Sequence, residues 1–150
     1  MKLLIPPPIY TALLMGIMWL LDRYLPITNS LGFPWNQIGI GLIILALVAD
    51  LGALLLFIRA NTTINPLKPH HTEQLVTHGS YRFSRNPMYL SMVVILLGWA
   101  LWLGSLTPFF AIPLLIWTLT EMQIKPEEAI LTQKFGNDYL TYQQHVRRWL

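Results

Sequence analysis

Residues 35–58 read WNQIGIGLIILALVADLGALLLFI, from Trp35 to Ile58, with a single charge at Asp50. As a helix rising about 1.5 Å per residue, the stretch reaches roughly 36 Å, enough to cross a hydrocarbon core of about 30 Å. Working outward, Pro87 to Thr120 contains no charged residue. Gly104-Ser105 and Pro108 divide it, which predicts a helical hairpin with a third helix near Met88–Leu103 and a fourth near Leu106–Gln123. Upstream, an apolar block runs from about Pro8 to Leu25 behind Lys2. Pro6, Pro7 and Pro8 interrupt it and no small-residue cleavage site follows, so it reads as a retained helix with proline in its first turn.

Composition agrees. Apolar residues make up 54% of the 150-residue chain and charged residues 11%, against about 25% in a soluble domain. So few charges cannot cover a small protein in water, and lipid must solvate much of the exterior. The absence of cysteine excludes disulfides, thiolate metal sites and a cysteine nucleophile. The net charge of +3 is spread between apolar blocks and forms no nucleic-acid stripe. The expected fold is an all-α integral membrane domain over residues 1–150. It has about four transmembrane helices, a cytoplasmic loop and a C-terminal amphipathic helix.

Nine of the ten Lys and Arg residues fall in three segments: Lys2; Arg59, Lys68, Arg82 and Arg85; and Lys125, Lys134, Arg147 and Arg148. With four spans these share one side, which the positive-inside rule makes cytoplasmic, together with both termini. The connection Arg59–Asn86 is long, and long loops are often functional. In the tail, Ile130, Leu131, Phe135, Tyr139, Tyr142 and Val146 recur at helical spacing, with Gly136 a cost of about 1 kcal/mol inside that helix or a point of close approach.

Two constellations carry chemistry. Leu75 to Leu90 holds Gly79, open to backbone conformations closed to other residues. It also holds the fixed charges of Arg82 and Arg85, and Asn86-Pro87 as N-cap and first residue of a helix. Such a helix start suits a carboxylate; equally, Arg, Tyr and Pro there make a juxtamembrane anchor. The second comprises Glu121, Glu127 and Glu128 after the fourth helix, then Phe135, Gly136, Tyr139 and Tyr142. These carboxylates can receive an ammonium group, pair with Arg82 or Arg85, or simply complement a helix N-terminus begun at Pro126.

Together the two constellations resemble the isoprenylcysteine carboxyl methyltransferase-like group and the related phospholipid methyltransferases. The resemblance covers residues 59–150. It runs through Leu75-Val76-Thr77-x-Gly79-x-Tyr81-x-x-x-Arg85-x-Pro87-x-Tyr89 and Glu127-Glu128-x-x-Leu131-x-x-x-Phe135-Gly136-x-x-Tyr139-x-x-Tyr142, and ends near Arg148-Trp149. It implies a membrane methyltransferase that uses S-adenosylmethionine and takes a small or lipidic acceptor (carboxylate, thiol or amine) from the bilayer. It implies His78, Gly79, Tyr81, Arg85, Pro87, Tyr89 and Glu128 around the cofactor, Tyr139 and Tyr142 nearby, and Arg85 and Glu128 at the catalytic centre. No metal and no nucleic acid are implied, and oligomeric state is left open. Where the prenylcysteine enzymes have Arg-His-Pro, this chain has Arg85-Asn86-Pro87, and Asn carries no proton at neutral pH. Glu128 and His78 are the candidate bases; His70 and His71 are weaker candidates for a role in the loop. The alternatives are a non-catalytic membrane scaffold subunit and an NADPH-dependent reductase related to membrane sterol reductases. Compactness and the lack of a signal peptide suggest a bacterial or archaeal plasma membrane.

Asp50 stands mid-span, where a charge costs at least about 2.5–3.5 kcal/mol. It is either a polar group of the acceptor site or a structural residue, hydrogen-bonded to another helix (Thr11, for example) or protonated.

Overall fold

The computed structural model describes residues 5–28, 32–59 and 75–150, and every regular element among them is a helix. Helix α1, Pro7–Tyr24, opens on two prolines whose missing N–H groups fall where a helix leaves N–H groups unpaired in any case. Helix α2, Gln37–Arg59, is the described helix long and apolar enough by itself to cross a membrane. Helix α3, Pro87–Leu103, stops at Gly104, which adopts a left-handed φ of 96°. A 3-10 turn, Thr107–Phe110, leads into α4, Ala111–Leu119. The expected helix bounds are therefore met to within two residues for the first three.

The fourth helix does not end at Gln123, and the tail helix does not begin afresh at Pro126. A π turn, Thr120–Ile124, joins α4 directly to α5, Lys125–Phe135. The reason lies in Pro126, which has no N–H and whose ring would strike the carbonyl of Met122 in a regular helix. The Lys125 N–H bonds back to the Thr120 carbonyl, one residue further than in an α-helix, and the widened turn lets the chain pass the proline without breaking. The single tail helix expected beyond it is in fact two. Gly136, at φ 54° and ψ −125°, ends α5 and starts α6, Asn137–His145. Nothing stands within 4 Å of where its Cβ would be, so Gly136 serves backbone conformation and not close approach.

Helix α3 lies at the centre, with α2 on one side and α1 and α4 on the other. Where α2 crosses α3 the backbones touch: a Cβ on Gly39 would lie 2.2 Å from the Gly98 carbonyl oxygen. Met18, Leu96, Leu115, Leu119 and Ile124 fill the core between α1, α3 and α4. Outward, Ile44, Leu47, Val48, Leu51, Phe110 and Trp117 are exposed. That surface suits lipid, where close packing of small residues replaces hydrophobic burial as the force between helices.

Side-chain clasps close both ends. At one, the Thr107 hydroxyl donates to the Leu25 carbonyl (2.6 Å) and accepts the Ile27 N–H (2.9 Å). At the other, the Gln123 side chain donates to the Ile5 carbonyl (2.7 Å). This second end gathers the end of α2, the segment before α3, helices α5 and α6, and the C-terminus. It is the polar end, and Arg59, Arg82, Arg85, Lys125, Lys134, Arg147 and Arg148 all belong to it.

Candidate active site

The segment before α3 is anchored on α2. Val76 and Tyr81 are buried against Ala53, with Leu56 and Met88 beside them. Gly79 begins the 3-10 turn Gly79–Arg82 at φ +62°, and a Cβ there would come within 2.6 Å of Leu56. The left-handed backbone angle favours glycine there, and the end of the Leu56 side chain would have to move aside for any Cβ.

Beyond that turn the chain is stitched to the C-terminus. The Arg85 N–H donates to the Arg147 carbonyl (3.0 Å). The buried Ser84 hydroxyl (3.4 Å) and the Asn86 side-chain amide (3.0 Å) both donate to the Arg148 carbonyl. Asn86 is thus not a side-chain N-cap of α3, as its position suggests. Its amide is drawn to the strap formed by residues 146–150, while its own N–H is taken by Ser84 Oγ at 3.1 Å. Trp149 follows the strap down to the core.

Glu128 sits at the centre of the charges so brought together. Arg148 holds it bidentately, Nε to Oε1 at 3.0 Å and Nη2 to Oε2 at 2.7 Å, the arrangement that makes such pairs strong. Arg85 approaches from the other side, its Nη1 3.1 Å from Oε1, with both side chains nearly nine-tenths buried. That approach is off the hydrogen-bonding direction, so Nε and Nη1 of Arg85 remain buried without a hydrogen-bond partner. The hydrogen bond to Glu128 is the first cause that raises the Arg148 pKa above its ordinary value.

Aromatic hydroxyls line the rest of the cluster. Tyr142 donates to the Tyr81 carbonyl (2.6 Å), and its ring lies tilted against that of Tyr139, with centroids 6.1 Å apart. Burial pushes the phenol of Tyr81 up, followed by its neighbours Tyr142, Glu127 and Asp50. Burial also raises Tyr139, next the charge of Glu128, with Arg85 opposing. Glu127 turns inward and accepts a hydrogen bond from the Tyr89 hydroxyl. Burial raises its carboxyl to about 8, against the pull of that bond and helped by the charge of Glu128.

Of the residues singled out from the sequence, Gly79, Tyr81, Arg85, Pro87, Tyr89, Glu128, Tyr139 and Tyr142 come together at this end. His78 does not join the cluster. It is exposed at the rim, held there because its extended backbone starts the 3-10 turn, and its carbonyl takes the Tyr81 N–H. Arg82 is also exposed, and Glu121 pairs with Lys125 one turn along its own helix. Asp50 lies within α2, but Thr11 is not its partner. The Thr11 hydroxyl bonds to the Pro7 carbonyl of its own helix, and Asp50 Oδ1 is buried with no partner. His70 and His71 lie outside the described residues. Sequence reasoning holds Glu127 only within the group of carboxylates after the fourth helix, and does not single out Arg148. Arg148 was legible only as a basic tail residue and as the end of the family pattern.

On the outer flank of α2 and α3, a cleft of about 260 Å³ opens below the same segment. Leu45, Ala46 and Ala49 of α2 and Leu90 and Val94 of α3 form its apolar walls, with Ser80, Ser84 and Leu150 at its upper end.

The fold and the site define a class: helical membrane proteins with a buried ionic cluster where the spans meet the aqueous phase. A model of the phospholipid methyltransferase family matches residues 35–138, and the chain belongs to that family. A Haemophilus influenzae protein with no assigned function is 46% identical over 63 residues, 42% of this chain and all of that protein. A probable protein-S-isoprenylcysteine O-methyltransferase of Oryza sativa subsp. indica is 28% identical over 131 residues, 83% of this chain and 69% of the relative. Among solved structures, the eukaryotic intramembrane Ras methyltransferase ICMT (isoprenylcysteine carboxyl methyltransferase) superposes with a TM-score of 0.67 at 26% identity. The match covers 91% of this chain, which spans about half the length of that enzyme.

Proposed function

We propose that the protein is an S-adenosylmethionine-dependent methyltransferase whose cofactor site is the Arg85–Glu128–Arg148 cluster and whose acceptor reaches it from the bilayer. The observation that supports this reading best is the pair of buried Arg85 nitrogens, Nε and Nη1, that have no hydrogen-bond partner although Nη1 is ion-paired with Glu128. The cofactor's amino-acid end is a zwitterion. Spare guanidinium donors suit its carboxylate and Glu128 suits its ammonium, and a zwitterion enters with no net charge to bury. When bound, the cofactor supplies a methyl group already activated on a sulfonium. The residues then need only bind, orient and exclude water, which is mainly proximity and orientation. Arg148 holds Glu128 in place, and the strap from Val146 to Leu150 closes the site from above. Tyr81, Tyr139 and Tyr142 wall it, and the apolar cleft between α2 and α3 gives a lipidic acceptor a way in. The basic residues gathered at this end favour the cytoplasmic side for it and for the C-terminus.

Calorimetric titration of detergent-solubilised protein with S-adenosylmethionine tests the proposal. Binding is expected in the wild type, weakened by about tenfold or more in Glu128→Ala, as removal of a charge-assisted contact requires. Absence of binding, unchanged binding in the variant, or binding of NADPH instead would overturn it.

A further inference from the structure

The ionic cluster is shut away from water. The Arg85 and Glu128 side chains are only 11% and 12% exposed, and Arg148 covers the Glu128 carboxylate with its bidentate contact. A solute as large as a nucleoside with an amino-acid chain cannot reach the buried Arg85 nitrogens in this arrangement, so an element around them must move. Most of those elements are built in. Tyr81 packs on Ala53 of α2, α5 runs on from α4 without a break, and Tyr139 and Tyr142 are buried beside Leu131 and Phe135. The strap is different. It leaves α6 at Val146 in extended conformation (φ −124°, ψ 129°) and forms no regular element, and Arg147 and Leu150 are exposed. Val146 is buried at one end of it and Trp149 partly buried at the other. Between these two the strap is fastened through its backbone carbonyls. The Arg147 carbonyl takes the Arg85 N–H, and the Arg148 carbonyl takes the Ser84 hydroxyl and the Asn86 amide.

The bonds to the Arg148 carbonyl come from side chains, and that of Asn86, at 3.0 Å against 3.4 Å from Ser84, is the shorter. A segment held by few bonds opens locally at a free energy below that of global unfolding. Opening about Val146 draws Arg148 off Glu128. The same movement therefore uncovers the Arg85 nitrogens and frees the carboxylate for an incoming ammonium group. We propose that Asn86, with Ser84 beside it, is the latch of this strap, and that its bond to the Arg148 carbonyl sets how fast the cofactor enters and leaves. Asn86 acts through the Arg148 backbone and is a positioning residue. Loss of the latch raises the population of the open strap and leaves the contacts of the closed site as they are. Entry and exit then quicken together while affinity holds. What passes the strap rests on the cofactor reading above; the latch itself does not.

The test treats the detergent-solubilised full chain with phenylglyoxal, which modifies accessible guanidinium groups, and follows each arginine by mass spectrometry. Arg82, exposed and outside the strap, is the internal reference. In the wild type Arg85 should react far more slowly than Arg82. In Asn86→Ala, and in Asn86→Leu, which keeps the bulk of the side chain without its donor, Arg85 should react about fivefold faster relative to Arg82, the factor that one ordinary hydrogen bond supplies. Surface plasmon resonance with S-adenosylhomocysteine should show association and dissociation both quickened by about that factor, with Kd held within about twofold. Unchanged Arg85 labelling in both variants, or faster dissociation with association unaltered, overturns the proposal. If the wild type binds no S-adenosylhomocysteine, the cofactor reading fails and the latch is judged on the Arg85 labelling. Should both Asn86 variants fail to fold, Ser84→Ala takes their place. Several-fold faster labelling of Arg85 is then expected, and unchanged labelling refutes the assignment.

Discussion

Substitution of Glu127 by Gln isolates the electrostatic cost of the site. In the folded protein the Glu127 carboxyl is raised from its ordinary value of 4.5 to about 8, chiefly by burial. Below pH 4.5 both the folded and the unfolded chain hold the proton, and the folded state keeps its full stability. As pH rises from there to about 8, the unfolded chain gives the proton up while the folded chain retains it. Folding is then weakened by up to about 1.4 kcal/mol per pH unit, a ceiling of about 4–5 kcal/mol over the whole window. Glu127→Gln removes this titration and keeps the side-chain oxygen to which the Tyr89 hydroxyl donates. The variant should therefore match the wild type at pH 5 within about 1 kcal/mol and exceed it at pH 8, with a melting point higher by about 10 °C. The six tryptophans report melting directly by scanning fluorimetry in detergent. Because only the difference between the two proteins is read, titration of the other carboxylates cancels. Melting curves that shift in parallel with pH for both proteins would refute the reasoning.

Two further substitutions probe the frame and the strap. In Gly98→Ala the new methyl would meet the Gly39 carbonyl at 2.5 Å, so α2 and α3 must separate. A loss of about 1–3 kcal/mol is expected, and an unaltered melting point would show that the crossing is looser than described. Asn86→Ala removes the 3.0 Å bond to the Arg148 carbonyl, worth about 1 kcal/mol. Faster hydrogen exchange confined to residues 146–150 and 84–86, read by mass spectrometry, is the expected sign. Exchange identical to the wild type would mean that the bonds from Ser84 and from the Arg85 N–H hold the strap without Asn86.

The spans were legible because their signal is local. Trp35–Ile58 is apolar over a membrane's thickness, and Gly104-Ser105 and Pro108 punctuate the hairpin whatever surrounds them. The approach of Arg85 to Glu128 was legible by another route, as two motifs whose residue types only make sense together. What stayed hidden depends on contacts distant in sequence. Asn86 before Pro87 has the form of a helix cap, and only the arrival of the Arg148 carbonyl, 62 positions on, diverts its amide. Arg148 looked like one more basic tail residue because its partner Glu128 is set by the path of the chain between them, through Gly136 and α6. Pro126 signals a helix start in most sequences. Here the wider turn before it turns that stop into a continuation, and propensity alone does not distinguish the two.

That wider turn has a consequence for everything downstream. A π turn carries one residue more than an α turn, and one residue is about 100° of rotation and 1.5 Å of advance. Removing a single position from Thr120–Ile124 would leave α4 packed on α1 and α3 but swing Glu127, Glu128, both tail helices and the strap about a third of the way round the axis. The orientation of the two tail helices and the strap relative to the other helices thus hangs on one inserted residue, which makes this turn the place where a related chain could re-aim that part of its site without altering α1 to α4.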